Sequence, residues 1–251
     1  MTARPAREPA DENAVAHVFV DALDDRCAVT GDDGHHLQRV RRLVAGEIVT
    51  AADGSGAWRA YEVGAVATGR LELVARGDVE TACEPPLGIS LAVALTKGGL
   101  DDVVAAVTEL GARRVTPVRT ARTVVRWDAS RSQRAVARLR SVAREAAMQS
   151  RRARVPMVDD VVDLSEVVGR TGLVVADRTG LRASELERPR AGPGAGWTVL
   201  VGPEGGLDDN ELAALGDAPR LRLGPHVLRA ATAPVAAVAV LAAEAARMRP
   251  E

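Results

Sequence analysis

Apolar and polar positions alternate in short runs through the first part of the chain, and this period-two pattern predicts strands. The runs are residues 17–20 (HVFV), 47–51 (EIVTA), 58–63 (WRAYEV) and 70–74 (RLELV), whose β-branched and aromatic residues suit a pleated, half-buried surface. Turn signals at residues 30–34 (TGDDG), 45–46 (AG) and 53–56 (DGSG) separate them. Short strands at this spacing predict a small barrel. Its one helical stretch is residues 35–43, where Leu37, Val40 and Leu43 recur at the spacing of an inner face.

The pattern changes at residues 84–87 (EPPL). Beyond that point buried-type apolar runs alternate with helical ones. Residues 89–95, 115–118, 173–176, 197–201 and 220–223 read as strands, and 101–110, 130–150 and 234–248 as helices. Gly111 is placed to close the first helix, and Asp208 with Glu211 three residues on forms a capping-box pair opening a short one. Such alternation predicts an α/β layer with a mostly parallel sheet. The domain reading is a leader over residues 1–13, expected to be disordered, a barrel over 14–84 and an α/β domain over 85–251.

Composition changes this picture in two places. Aromatic residues make up only 2% of the chain, so the cores are expected to be built from Val, Leu and Ala. The net charge of −1 conceals a cluster: residues 113–154 hold thirteen arginines against Asp128 and Glu145. Such a block is either a solvated helix face or a phosphate-binding surface. Cys27 and Cys83 are too few for a disulfide framework and lack metal-ligand spacing, and no histidine cluster supports a metal. The start of the chain does not look like a signal peptide, and its longest apolar run, 234–243, is too short to span a bilayer. A cytoplasmic, metal-free protein without a membrane partner is the expectation.

The candidate chemistry lies in two glycine loops. Val201-Gly202-Pro203-Glu204-Gly205-Gly206 runs from a buried strand toward the capped helix, and Leu223-Gly224-Pro225-His226-Val227-Leu228-Arg229 follows the next strand. In open α/β sheets ligands bind at the carboxyl ends of strands, and glycine lets backbone approach them closely. Two such loops in succession can line one pocket with backbone N–H and C=O groups, which suits an adenine and its ribose. Neither loop is a Walker A or a G-x-G-x-x-G sequence, so a phosphate-bearing cofactor is not indicated.

These segments resemble those of the RsmE family, SPOUT-class methyltransferases. The resemblance runs from about His17 to Leu241, with motifs in the family's order: residues 35–42 (HHLQRVRR), 95–98 (LTKG) with 108–111 (TELG), 121–125 (ARTVV), 149–156 (QSRRARVP), and the two glycine loops. It implies an N-terminal PUA-like β-barrel followed by an α/β domain with a trefoil knot, which nothing in composition or periodicity could indicate. It also implies a cytoplasmic homodimer that uses S-adenosylmethionine to methylate N3 of a uridine in the decoding region of 16S ribosomal RNA, free or in the assembled small subunit.

On this reading the donor is held by Val201, Gly202, Pro203, Glu204, Gly205, Gly206, Leu223, Gly224, Pro225, Val227 and Leu228. Glu204 is read as bonding backbone or leading into the helix rather than as a base. Arg229 is the catalytic candidate, since a guanidinium can stabilise the charge that develops as the uracil imide loses its proton; a phosphate or dimer contact is the equal alternative. Arg39, Arg42, Arg122, Arg144, Arg151, Arg152 and Arg154 are the RNA candidates, and the remaining arginines of the block are read as surface charge. The chain departs from the family at Ala230 and Ala231, Met148, Ala106 and around His17, each a loss of a polar group. Those departures keep two other readings open: a SPOUT enzyme for a different RNA position, and a catalytically silent RNA- or ribosome-binding protein.

Overall fold

In the computed structural model, which describes residues 13–37, 42–83, 85, 87–125, 127–189 and 194–247, the alternating runs of the first part form one sheet. Its strands are β1 (Ala14–Phe19), β2 (Arg26–Val29), β3 (Ile48–Ala52), β4 (Ala57–Ala67) and β5 (Arg70–Thr81), in the order β1-β3-β4-β5-β2. β1 lies parallel to β3 and the other pairs are antiparallel. The inward positions of the alternation, among them Val18, Val49, Tyr61, Val63, Leu71 and Leu73, make one core. β2 was not legible in the sequence, because only Val29 of its four residues is buried and it owes its place to pairing with β5.

The expected helix at residues 35–43 begins earlier in the chain, and residues 38–41 lie outside the described residues. Helix α1 is Gly31–His36, so residues 31–34, which read as a turn, are its first turn. Glycine permits this: a Cβ on Gly34 would stand 2.6 Å from the Gly69 carbonyl and 2.9 Å from that of Val29. Leu37 and Leu43 still enter the core as expected, whereas Val40 and Arg39 lie outside the described residues, as do residues 1–12 of the leader.

The chain divides into two units, and Ala147–Val155 falls with Met1–Cys83 rather than with Glu84–Ala146 and Pro156–Glu251. Ala147 and Ala153 join Phe19, Ala52, Trp58 and Ala82 in a second small core of the first unit, with Met148 and Val155 packed against it. Met148 therefore takes an apolar role where relatives are expected to carry a glutamate.

His17 links this segment to the sheet. One ring nitrogen is 2.8 Å from the Thr50 hydroxyl and the other 3.1 Å from the Arg152 carbonyl. Burial is the main cause that lowers its pKa from 6.5 to about 4, and the charge of Arg151 adds to it. The folded value lies below the unfolded one, so between them only the unfolded chain takes up a proton. This contribution is complete above pH 6.5 and is lost as the pH falls toward 4, by about 3 kcal/mol. Denaturant unfolding of His17→Gln should show a shallower loss of stability across this window than the wild type; equal slopes would contradict the assignment.

The second unit is built on seven parallel strands: β6 (Gly88–Ala94), β7 (Arg114–Arg119), β8 (Met157–Val158), β9 (Val162–Asp163), β10 (Leu173–Leu181), β11 (Gly196–Val201) and β12 (Arg220–Leu221). The order is β12-β10-β11-β6-β7-β8, with β9 also on β7. Helices α2 (Leu100–Glu109), α3 (Ala129–Gln149), α4 (Asp209–Leu215) and α5 (Thr232–Arg247) accompany it. The central strands are buried on both faces, as parallel sheets require. Leu91, Val93, Val199 and Val201 pack with residues of α2, α3 and α5, while Ala92 and Leu200 pack on the opposite side with Val175, Leu164 and Leu215. Gly196 is in register with Gly88 across β11 and β6, so close that a Cβ would run into the Gly88 carbonyl. Cys27 and Cys83 form no disulfide, and among the described residues no helix is long and apolar enough to cross a membrane.

Candidate functional site

Because β12, β10 and β11 are parallel neighbours, their carboxyl ends lie side by side, and the chain leaving each one helps enclose a cavity of about 550 Å³. From β11 come Val201, Gly202, Pro203, Glu204, Gly206 and Leu207; from the segment after β12 come Leu223, Gly224, His226, Val227, Leu228, Ala230 and Ala233. Nine of the eleven residues expected to hold a donor thus meet here, all but Gly205 and Pro225. The two glycine loops do form one pocket.

Local sequence accounts for the first loop. The Gly206 N–H donates to the Pro203 carbonyl at 2.8 Å, closing a turn in which Gly206 takes φ 71, a conformation glycine adopts without penalty. The expected capping box opens α4: the Glu211 N–H donates to Asp208 at 2.8 Å, and the Asp208 N–H donates back to Glu211 at 2.9 Å. The other Glu211 oxygen accepts from the Ala121 N–H at 2.7 Å, and the Arg122 guanidinium donates to the Gly205 carbonyl at 2.9 Å. Residues 121–122 therefore brace the glycine turn from outside. Of the two roles expected of Glu204, bonding backbone or leading into the helix, the position agrees with the second: it is exposed, lines the cavity and precedes α4, whose N-terminal backbone bond is taken by Glu211.

Sequence reasoning missed a third wall. Ala176 and Leu181 both pair with Leu221, so residues 177–180 bulge out of β10 between them. Val175, Ala176, Asp177, Arg178 and Thr179 line the cavity. The Thr179 N–H and hydroxyl both donate to Asp177, at 2.8 and 2.7 Å, and hold its carboxyl below the usual carboxylate range, with Arg220 and Arg178 adding their charges. An ionised acceptor is thereby fixed in a largely apolar and backbone-built wall. The signal was available: 173–176 was read as a buried strand, and ligands gather at the carboxyl ends of such strands.

The remaining candidates are distributed. Arg229 does not line the cavity, although Leu228 and Ala230 on either side do. Its carbonyl accepts from the N–H groups of Thr232 and Ala233, both at 2.9 Å, at the start of α5. Its side chain is exposed and makes no ion pair among the described residues. Arg122 and Arg144 belong to the second unit, whereas Arg42, Arg151, Arg152 and Arg154 belong to the first. Arg42 is exposed with φ 52. The Arg151 guanidinium donates to the Ala14 carbonyl at 2.8 Å, and the Arg154 guanidinium lies against Gly56. Among the described residues no cluster of His, Cys, Asp and Glu could hold a metal ion.

Comparison with known proteins finds two domain matches, the larger of which runs through the segment Ala147–Val155 that falls with the first unit. The family model of an RNA methyltransferase domain matches residues 83–242, and that of an RNA methyltransferase PUA domain matches residues 29–75. A protein from Mycobacterium tuberculosis named ribosomal RNA small subunit methyltransferase E is 36% identical over 239 residues, 88% of either chain. Its namesake from Bacillus subtilis is 29% identical over 234 residues, 88% of this chain and 91% of that one. A crystal structure of the protein of that name from Neisseria gonorrhoeae, bound to S-adenosyl methionine, superposes with a TM-score of 0.77 at 25% identity, covering 89% of this chain and 95% of that one.

Proposed function

The chain belongs to the ribosomal RNA small subunit methyltransferase E family, a PUA-like domain joined to a SPOUT-type methyltransferase domain, and from that premise we propose that it methylates N3 of a uridine in the decoding region of 16S ribosomal RNA. S-adenosylmethionine is the methyl donor in this reading. The observation that carries it is the cavity shared by the ends of β10, β11 and β12, which lies inside the matched methyltransferase domain.

The residues present fit the donor. A volume of about 550 Å³ is ordinary for a small-molecule site. Val201, Leu223, Val227 and Leu228 offer apolar surface to an adenine, while backbone of Gly202, Gly206 and Gly224 can approach its edge and the ribose. The Asp177 carboxylate would accept from a ribose hydroxyl or from the donor's ammonium. When bound, the donor supplies an electrophilic methyl group.

The protein then has two tasks. The loops hold the reacting partners in line, which accounts for much of the rate when the electrophile is intrinsically reactive. Arg229, a cation between two cavity-lining residues and without an ion pair among the described residues, stabilises the negative charge that spreads over the uracil as its N3 proton leaves. Arg42, Arg144, Arg151, Arg152 and Arg154 contribute phosphate contacts, and Arg122 does so only as far as its bond to Gly205 permits. A cytoplasmic homodimer belongs to the same proposal, and sedimentation of the purified protein tests the dimer.

The proposal is tested by incubating the protein with methyl-labelled S-adenosylmethionine and either free small-subunit RNA or assembled subunits. Label recovered as N3-methyluridine from either substrate supports it and identifies which form is used. Label in another base or a ribose would replace the substrate assignment, and absence of donor binding in calorimetry would remove the enzyme reading altogether.

A further inference from the structure

A second cavity of about 320 Å³ lies in the same unit, between the segment that follows β6 and the first turns of α3. Its walls carry Lys97, Arg131, Arg134 and Arg138 against a single carboxylate, Asp101, and include the ring of Trp127. The three arginines were read from the sequence as surface charge. Their spacing of three and four residues puts them on one face of α3, extending along roughly 10 Å of helix.

The charges are not spent on one another. Arg138 is paired with Asp101 at 2.6 Å, and the Arg134 guanidinium donates to the Ser130 hydroxyl at 2.7 Å. Lys97 and Arg131 are exposed and make no ion pair among the described residues. Lys97 is the chain's only lysine, and Trp127 is one of only five Trp, Tyr and Phe residues. Trp127 is half-buried and packs on the main core, which holds its ring in place at the cavity wall.

The two cavities are neighbours. Ala230 and Ala233 line the first, and a Cβ on Gly99, which lines the second, would stand 3.8 Å from the Ala231 Cβ. Thus one short segment of small residues, 230–233, separates them. A larger side chain at Ala231 would crowd that partition.

We propose that this second cavity binds single-stranded RNA flanking the target nucleotide, its phosphates on Lys97, Arg131 and Arg134 and a base against Trp127. The inference rests on the RNA-methyltransferase reading above and adds to it a specific place for the substrate strand. Row-like cations with an adjacent aromatic ring are the arrangement that holds a backbone and a stacked base. Arg138, neutralised by Asp101, positions the row rather than contributing a full charge.

The test uses the whole protein, saturated with S-adenosylmethionine, and a fluorescein-labelled oligouridylate titrated at several salt concentrations. Arg131→Gln combined with Arg134→Gln should weaken binding by about tenfold or more and lower the slope of log affinity against log salt by about 1.4 units, the loss expected for two phosphate contacts on a single strand. Trp127→Leu should weaken it by about tenfold through lost stacking, with the slope unchanged. Donor affinity measured by calorimetry should not change in either variant. Wild-type binding and slope retained in the arginine variant would overturn the assignment while leaving the enzyme reading intact. Competition by uridine monophosphate or inorganic phosphate as effective as that by the oligonucleotide would also overturn it, in favour of a free-nucleotide or simple anion site. A wild-type protein that binds the donor but neither oligouridylate, small-subunit RNA nor assembled subunits would overturn both readings.

Discussion

Arg229→Ala should lower the rate of methyl transfer by about a hundredfold or more, within the range found when one preorganised donor to a developing anion is removed, while leaving affinity for S-adenosylmethionine unchanged. The separation follows from where the residue sits. Its carbonyl, which the substitution keeps, accepts from Thr232 and Ala233 and so preserves the start of α5. Its side chain is exposed and contributes nothing to the cavity wall, so the donor should not sense the change. Kinetics divide the two roles considered for this residue. Loss confined to kcat identifies charge stabilisation in the transition state. A rise in KM with a reduced salt dependence would identify a phosphate contact instead. Arg229→Lys should recover only part of the rate, because a point charge cannot reproduce a planar fork of donors.

The second large effect is expected at the glycine turn and is opposite in kind. Gly206→Val should weaken donor binding by about tenfold or more, since a β-branched residue held at left-handed φ costs about 1–3 kcal/mol. Gly206 has φ 71 and lines the cavity. Relief of that strain must move the segment between Pro203 and Asp208, which is the wall itself. Gly205→Ala is the control that makes the outcome specific. A Cβ there would meet the Arg122 side chain at 3.6 and 3.7 Å, ordinary contact distances, and Gly205 does not line the cavity. Calorimetry of the two variants should therefore show loss at Gly206 and near-normal binding at Gly205. The converse would mean that the turn's outer face, braced by Arg122 and Glu211, touches the ligand.

How far the sequence reveals this molecule depends on whether a feature is encoded locally. β6 and β11 are continuous apolar runs buried on both faces, and α4 announces itself by Asp208 and Glu211, so these elements and the loops after them were legible. The strands β2, β8 and β9 were missed, and β12 was read two residues too long, because each is two to four residues long and held by its neighbours rather than by its own pattern. The excursion at residues 177–180 was hidden for a related reason: only the shared pairing with Leu221 shows that it leaves β10. Ala147–Val155 is a tertiary surprise, since nothing in a helix that buries Leu139 and Ala143 in one core says that Ala147 will enter another.

The charged residues divide along the same line. Thirteen arginines in one block could be counted in the sequence, but not sorted. Folding sorts them: Arg122 braces a loop, Arg140 bonds the Val158 carbonyl at 3.0 Å, Arg114 pairs with Asp159 at 2.6 Å, and Arg131 and Arg134 face a cavity with Lys97. Lys97 and Trp127 stand thirty residues apart in the chain, and only the packing of α3 beside the loop after β6 brings them to one wall. The alanines at 230 and 231 acquire meaning in the same way, as the thin partition between the two cavities.

Mass mapping of nucleosides in the small-subunit ribosomal RNA of a strain lacking this gene tests the assigned activity in the cell. N3-methyluridine should disappear from the decoding region, and should return with the wild-type gene but not with one encoding Arg229→Ala. Persistence of N3-methyluridine in the deletion strain, or loss of a different methylated nucleoside, would contradict that assignment.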